Sequence, residues 1–279
     1  MNHPSNTIMV TGDAFTDRWI TVKRRGPSAE VGGLSIYDEL SQVDQPGGAA
    51  NVQHALRRLL PNHRVPLLAS RPYTVKRRYV EVGDPYRPHA NGRQVFRVDE
   101  PNKIRPISID SPWEHYLHIA EDVVVSDYGK GSINEEVLQT IISSARNRVW
   151  INAKLLQPYH GCADMAGDAA RLRAPWIAWT CNEYEYTAAA AFYDRQAHVY
   201  VTSKAGITHY QYGQATNKAA SKARKVVSVC GAGDVVLAAL VASRGSLSTA
   251  MHAAAVSVEH PGTYCPTAEE VEEHINACD

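Results

Sequence analysis

The chain has 279 residues with 29 basic and 29 acidic side chains, so no bulk field draws it to nucleic acid or to an anionic membrane. Hydrophobic residues make up 44% and charged ones 21%, the balance of an ordinary globular protein long enough for one large α/β domain or two small ones. No apolar run reaches membrane-spanning length and residues 1–6 lack a basic-then-apolar leader, so the cytoplasm is the expected location.

Residues 7–13 predict a short buried strand that ends in Asp13, with Asp17 close behind. Carboxylates at a strand's C-terminal end are where open α/β sheets hold ligands. The pair either grips sugar hydroxyls, or Asp13 is a turn residue and Asp17 is solvated. Residues 19–22 and 34–37 read as short β-prone segments separated by Gly26-Pro27 and Gly32-Gly33, which predicts a small β element standing off the main sheet.

Gly47 and Gly48 then precede a helix with Val52, Ala55, Leu56, Leu59 and Leu60 on one face, and Pro61 closes it. The two glycines let a ligand approach the backbone. Asn51 is a poor interior helix former, which suggests a task for its side chain. Residues 65–69 predict another strand. Residues 74–80 and 94–99 alternate as half-exposed strands do, joined by a turn over 84–92, and complete the β element begun at 18–46. Within the first of them, Lys76-Arg77-Arg78 meets a substrate phosphate or forms a solvated strand edge.

From residue 111 helices (113–120, 134–145) alternate with strands (122–127, 148–152, 176–180, 198–202), and a further strand follows over 207–211, predicting a mainly parallel sheet. Asp13, Asp127, Asn152, Asn182 and Thr202 recur at strand C-termini and so fall along one sheet edge, where an active site is expected. His115 and His118 share a helix face without an evident third metal ligand. Cys162, Cys181, Cys230, Cys265 and Cys278 form no C-x-x-C pair and read as reduced thiols.

The stretch 228–234 breaks from small residues into an apolar helix. Gly231 and Gly233 allow a tight turn, and the free N–H groups of the helix start form a site for an anion such as phosphate. Asp234, in the first helical turn, is placed to take a proton from a hydroxyl that attacks such a phosphate. The plainer alternative is a loop followed by an ordinary helix carboxylate. Helices over 247–260 and 268–277 complete the chain, the first ended by Gly262 and the second capped by Thr267.

These motifs together give a resemblance. Gly47-Gly48-Ala49-Ala50-Asn51, Asn182-Glu183-Tyr184-Glu185 and Gly231-Ala232-Gly233-Asp234, in that order, resemble the signatures of the ribokinase-like (PfkB) carbohydrate kinases across nearly the whole chain. Gly12-Asp13, Asp17-Arg18, Phe96-Arg97-Val98-Asp99-Glu100 and Ser126-Asp127-Tyr128-Gly129-Lys130-Gly131 are most similar to members that phosphorylate a heptose 7-phosphate at C1. From the length of 279 residues, no fused nucleotidyltransferase domain is expected.

The resemblance implies an α/β fold: a three-layer sandwich with a mainly parallel central sheet and a small β lid. It implies a single kinase domain over 1–279, with lid segments at about 18–46 and 74–99. The implied reaction is ATP-dependent transfer of a phosphoryl group to a sugar or sugar-phosphate hydroxyl. In that reading Asp234 is the base, and Gly231, Ala232 and Gly233 hold the transferring group. Asp13, Asp17, Gly47, Gly48 and Asn51 hold the sugar, with Lys76 and Arg78 toward its phosphate. Asn152, Lys154, Thr202, Lys204 and Gly206 meet the nucleotide, and Asn182 and Glu185 place Mg²⁺. A homodimer through the lid is expected, and neither nucleic acid nor membrane is a partner.

Some positions depart from the pattern. Ser228-Val229 stands for the usual Asp-Thr, so monovalent-cation activation lacks its customary carboxylate. Ile151-Asn152-Ala153-Lys154 replaces Asp-Pro-Lys, the 202–206 turn is one residue short, and a strand–helix segment between Pro61 and Lys76 is absent. These departures leave open a kinase of another sugar phosphate or a nucleoside, or a catalytically weak homologue acting as a binding or regulatory subunit.

Overall fold

Ile8–Gly12 (β1) is apolar and buried along its whole length, as a strand covered on both faces must be. The structure, a computed structural model, describes residues 6–71, 73–82, 93–100, 104–154 and 176–278. Around β1 run Leu67–Leu68 (β4) on one side and Asp122–Asp127 (β7), Arg148–Ala153 (β8), Trp176–Asn182 (β9) and Val199–Ser203 (β10) on the other, all parallel. Gly206–Gln211 (β11) and Gln214–Ala220 (β12) extend the sheet antiparallel, giving the order β12-β11-β10-β9-β8-β7-β1-β4 among the described residues.

Side chains alternate across this sheet, and each face builds its own core. Val10, Val124 and Trp150 pack against Ala49–Leu59 (α1), Ala232–Ala242 (α6), Leu247–Val258 (α7) and Ala268–Asn276 (α8). Met9, Val123, Val125, Val149 and Ile151 point the opposite way. They meet Ser111–Ile119 (α2), Glu135–Ser144 (α3) and the short helices Glu183–Ala188 (α4) and Ala190–Tyr193 (α5) through Leu117, Leu138, Ile141, Tyr186 and Phe192. The result is helix, sheet and helix in layers. Helix α6 is buried from Asp234 to Val241, as a helix apolar on every side must be.

The segments expected to form a lid make a separate sheet. After Asp13 the chain leaves β1 and forms Ala14–Pro27 (β2) and Ser35–Gly48 (β3). With Thr74–Glu81 (β5) and Arg93–Asp99 (β6) these give the order β3-β2-β5-β6. The two short segments predicted near residues 19–22 and 34–37 are parts of strands of 14 residues each. Their pairing continues through irregularities at Thr21/Val22 and Arg24/Gly26, so glycine there bends the ribbon without ending it. Pro46-Gly47-Gly48 is the end of β3. Phe15 and Ala14 pair with Gly47 and Gly48, and a Cβ at Gly47 would collide with the Phe15 ring.

Elsewhere β4 has two residues where five were predicted, and the lid follows it directly at Thr74. The turn over 84–92 and Cys162 lie outside the described residues. Cys181, Cys230, Cys265 and Cys278 are free thiols. His118 Nδ1 donates to the Ser144 carbonyl at 3.0 Å and His115 packs on Tyr116. Among the described residues no helix is long and apolar enough to cross a membrane.

Candidate active site

The centre of the site is the start of α6. Gly231 sits at φ +77°, a conformation that costs an L-residue about 1–2 kcal/mol. A Cβ at this position would collide with Thr263 and lie 2.8 Å from Asn51 Nδ2. No side chain caps the helix, and a Cβ at Gly233 would meet nothing within 4 Å, so space is open beside Gly233, while the Ala232 N–H donates to the Val229 carbonyl at 3.3 Å.

Asp234 follows in the first turn and is 4% exposed. Asn51 Nδ2 donates to its Oδ2 at 2.9 Å and the Tyr128 hydroxyl donates to its Oδ1 at 2.7 Å. Burial pushes the Asp234 carboxyl up; the two hydrogen bonds and the Lys154 and Lys76 charges oppose that shift without cancelling it. Burial, and then the Asp234 charge, push the Tyr128 phenol well above its ordinary value, so it stays a donor. The Cys265 thiol donates to Asn51 Oδ1 at 3.2 Å and so fixes which end of that amide faces Asp234.

Asp13 is fully buried and takes three backbone N–H bonds, from Tyr128 and Lys130 at 2.8 Å each to Oδ2 and from Ser132 at 3.0 Å to Oδ1. It folds the 128–132 loop around itself. Asp127 adds an acceptor for the Gly129 N–H at 2.8 Å. The loop delivers Tyr128, whose ring packs edge-on against Phe15 at 5.3 Å. The Lys76 Nζ lies 4.3 Å from the Phe15 centroid, the Lys130 Nζ 5.5 Å from it, and the Lys154 Nζ 5.5 Å from the Tyr128 centroid. Burial lowers the Lys76 ammonium's pKa, an effect that Asp17 partly offsets.

On the lid side, Arg78 is engaged by Asp17 in a two-point ion pair at 2.6 and 3.1 Å, with the guanidinium over Trp19. Gly47 and Gly48 form the hinge between β3 and α1. Gly48, at φ +59°, lies against the Asp13 carbonyl and the Phe15 ring.

At the ends of β8, β9 and β10 the residues have local partners. Asn182 and Glu185 form a reciprocal capping box on α4: Asn182 Oδ1 accepts from the Glu185 N–H at 2.8 Å and Glu185 Oε2 accepts from the Asn182 N–H at 2.9 Å. The other Glu185 oxygen pairs with Lys154 Nζ at 2.9 Å. Asn152 Nδ2 donates to the Thr180 carbonyl at 2.8 Å, and the Thr202 hydroxyl donates to the Cys181 carbonyl at 3.2 Å. Lys204 is exposed, and Gly206 is pressed against Ala219 of β12. Among the described contacts none joins Thr202, Lys204 or Gly206 to Asp234, whereas Asn51, Tyr128, Lys76 and Lys154 all act on it.

No family model matches the chain. It is 29% identical to the bifunctional protein HldE of Gluconacetobacter diazotrophicus, covering 100% of this chain and 66% of that protein. With the bifunctional protein HldE of Hyphomonas neptunium it is 30% identical, covering 95% of this chain and 62% of that protein. The chain thus spans just under two thirds of the length of these relatives. Among solved structures, Arabidopsis thaliana ribokinase complexed with ribose and ATP matches with a TM-score of 0.67 at 16% identity, over 96% of this chain and 98% of that one. The chain has the ribokinase fold. Phosphofructokinase-2 from Escherichia coli in complex with potassium matches with a TM-score of 0.66 at 14% identity, over 98% of both chains.

Within this ribokinase fold, Asp13, Asp127, Asn152 and Asn182 stand at or just beyond the C-terminal ends of successive parallel strands, the edge that the sequence pattern marked. Tyr128 entered the sequence reading only as part of a motif, without a role of its own. Its bond to Asp234 spans 106 positions of sequence, so only the fold brings the two together.

Proposed function

We propose that the chain is an ATP-dependent sugar kinase that transfers the γ-phosphoryl group to a sugar-phosphate hydroxyl. The acceptor implied by the motif resemblance is a heptose 7-phosphate. Asp234 carries this reading. It is a buried carboxylate with a raised pKa, in the first turn of a helix that no side chain caps, and it is held by Asn51 from the other end of the chain. The shared fold with a ribokinase complexed with ribose and ATP supports the same reaction class.

In this reading the amides of Ala232, Gly233 and Asp234 receive the transferring phosphoryl oxygens, where the helix dipole favours negative charge. Asp234 takes the acceptor's hydroxyl proton as that oxygen bonds to phosphorus and the ADP oxygen leaves. Its raised pKa suits it to hold the proton. Tyr128 and Asn51 aim the carboxylate, and Lys76, Lys130 and Lys154 bring positive charge to a site that must hold anions. Catalysis is then chiefly positioning and charge stabilisation.

In this reading Glu185 would hold Mg²⁺ beside the nucleotide through the oxygen that now pairs with the Lys154 ammonium, its other oxygen being held by the Asn182 backbone N–H. Bound there, Mg²⁺ would neutralise phosphate oxygens and keep part of its water shell. Exposed Leu40 and Val43 on β3, and Phe96 and Val98 on β6, support pairing of the lid with a second copy of the chain.

The test is ATP consumption by the purified chain over heptose 7-phosphate, other sugar phosphates, free sugars and nucleosides, with and without K⁺ and with Asp234→Asn as control. Turnover should appear with a sugar phosphate and vanish in the variant. ATP binding without turnover on any acceptor would overturn the kinase reading.

A further inference from the structure

Helices α7 and α8 bring together a second set of chemistry-bearing side chains. His252 and His274 are 1% and 4% exposed, and their Nδ1 atoms lie 2.9 Å apart. Cys278 Sγ lies 3.9 Å from His274 Nδ1, and the donor atoms of all three residues fall within 4.8 Å of one another. The local cause is plain. The Ala277 and Cys278 N–H groups continue the α8 turn, bonding to the Glu273 carbonyl at 3.0 Å and the Ile275 carbonyl at 2.9 Å. His274 and Cys278 therefore share the face that i and i+4 positions share, and α7 packs His252 onto it.

Behind His274 stands Glu259, the C-cap of α7. Its Oε1 is 3.9 Å from His274 Nε2, a buried atom that makes no hydrogen bond among the described residues. A metal-binding imidazole turns one nitrogen to the metal and the other to a carboxylate, and Glu259 is the carboxylate that His274 Nε2 would meet on closing from 3.9 Å. A tetrahedral centre with metal–nitrogen bonds of about 2.0–2.1 Å and a metal–sulfur bond of about 2.3 Å separates its ligand atoms by roughly 3.3–3.6 Å. The observed 2.9 and 3.9 Å bracket that range.

We propose that His252, His274 and Cys278 form a binding site for a zinc-class divalent cation, with Glu259 steadying His274 from behind. Both imidazoles bind as neutral ligands through Nδ1, and the single proton that bridges the two Nδ1 atoms moves to Nε2 of its own ring. Cys278 binds as thiolate, and its proton leaves to solvent. The exposed side of Cys278 leaves a fourth position for water. Occupancy staples the end of α8 to α7. It also fixes Glu259, which accepts from the Arg224 N–H at 2.7 Å in the segment leading to the anion-binding turn at Gly231.

The full chain titrated with Co²⁺ in thiol-free buffer tests this. One equivalent should produce the visible absorption of a tetrahedral cobalt centre together with a near-ultraviolet thiolate charge-transfer band, and Zn²⁺ should bleach both. Cys278→Ser, at an exposed position that leaves the fold intact, should abolish the charge-transfer band. His274→Gln should weaken binding by at least about tenfold. Cys230→Ser should leave the band unchanged. Wild type lacking the band at one equivalent, or Cys278→Ser retaining it, would overturn the proposal. A second readout is thermal: Zn²⁺ should raise Tm in wild type and not in Cys278→Ser.

Discussion

Tyr128→Phe removes one oxygen from the site and little else. The ring keeps its packing against Phe15 and its place near Lys76 and Lys154, since those contacts are made by the ring itself. What is lost is the 2.7 Å bond to Asp234 Oδ1. A hydrogen bond to a charged acceptor is worth about 1.5–3 kcal/mol, and the Asp234 site is buried enough for water to be a poor substitute. At about 1.4 kcal/mol per pKa unit, the loss raises the carboxyl's pKa by a further one to two units, roughly, beyond the rise that burial already causes.

The assay is the pH dependence of kcat/KM for ATP-dependent phosphorylation, whose acidic limb reports the base in the free enzyme. The limb should move to higher pH by about one to two units, with the plateau lowered far less than the rate at acidic pH. An acidic limb at the wild-type position would refute the role given to Tyr128. A limb that stays put in both Tyr128→Phe and Asn51→Ala would refute Asp234 as the titrating base.

Asp234→Asn should abolish turnover, and urea midpoints over a pH series should show its linkage. Because the folded pKa of Asp234 is raised, its contribution to stability is fully present at acid pH and is lost as pH rises through that folded value. Wild type should therefore lose stability relative to Asp234→Asn between the ordinary carboxylate pKa of about 3.9 and the folded one. Gly231→Ala should lower stability by about 1–2 kcal/mol through its left-handed backbone alone, by thermal melting. It should also reduce kcat, because the new methyl presses on the Asn51 amide that holds Asp234. Glu185→Gln keeps an acceptor for the Asn182 N–H but loses the Lys154 ion pair, so the Mg²⁺ titration of activity should shift to higher concentration while helix content is unchanged.

What could be read from the sequence was local. The turn at Gly231, the apolar run after it and Asp234 in its first turn all lie within a few positions, and the strand-end polar residues followed from the alternation of strands and helices. The Asn51–Asp234 bond joins residues 183 positions apart, and no spacing rule predicts it. Strand β12 was missed because Gln214–Ala220 is exposed along nearly its whole length and so shows no alternation of apolar residues. The lid strands were cut short at glycines that bend the ribbon without ending it, and Gly47, which reads as room for a ligand, is small because the Phe15 ring lies against it. The His274-x-x-x-Cys278 spacing was present as a signal, but its partner His252 lies on another helix, so only packing reveals the group.

Asp13 illustrates how one residue satisfies a local and a catalytic demand at once. A carboxylate offers about four acceptor positions, and three of those on Asp13 are taken by the loop that carries Tyr128. One remains on Oδ1, the position a sugar hydroxyl would take in the proposed reading. Asp13→Asn replaces an acceptor oxygen with an NH₂ that faces backbone donors, leaving at least one buried N–H unsatisfied at a cost of about 1–3 kcal/mol. The loop then shifts, and Tyr128 no longer reaches Asp234. The variant should lose stability in urea and lose kcat together. If Asp13 acted only as a sugar ligand, KM for the sugar would rise while kcat and the urea midpoint stayed at wild-type values. That result would break the proposed chain from Asp13 through Tyr128 to the base.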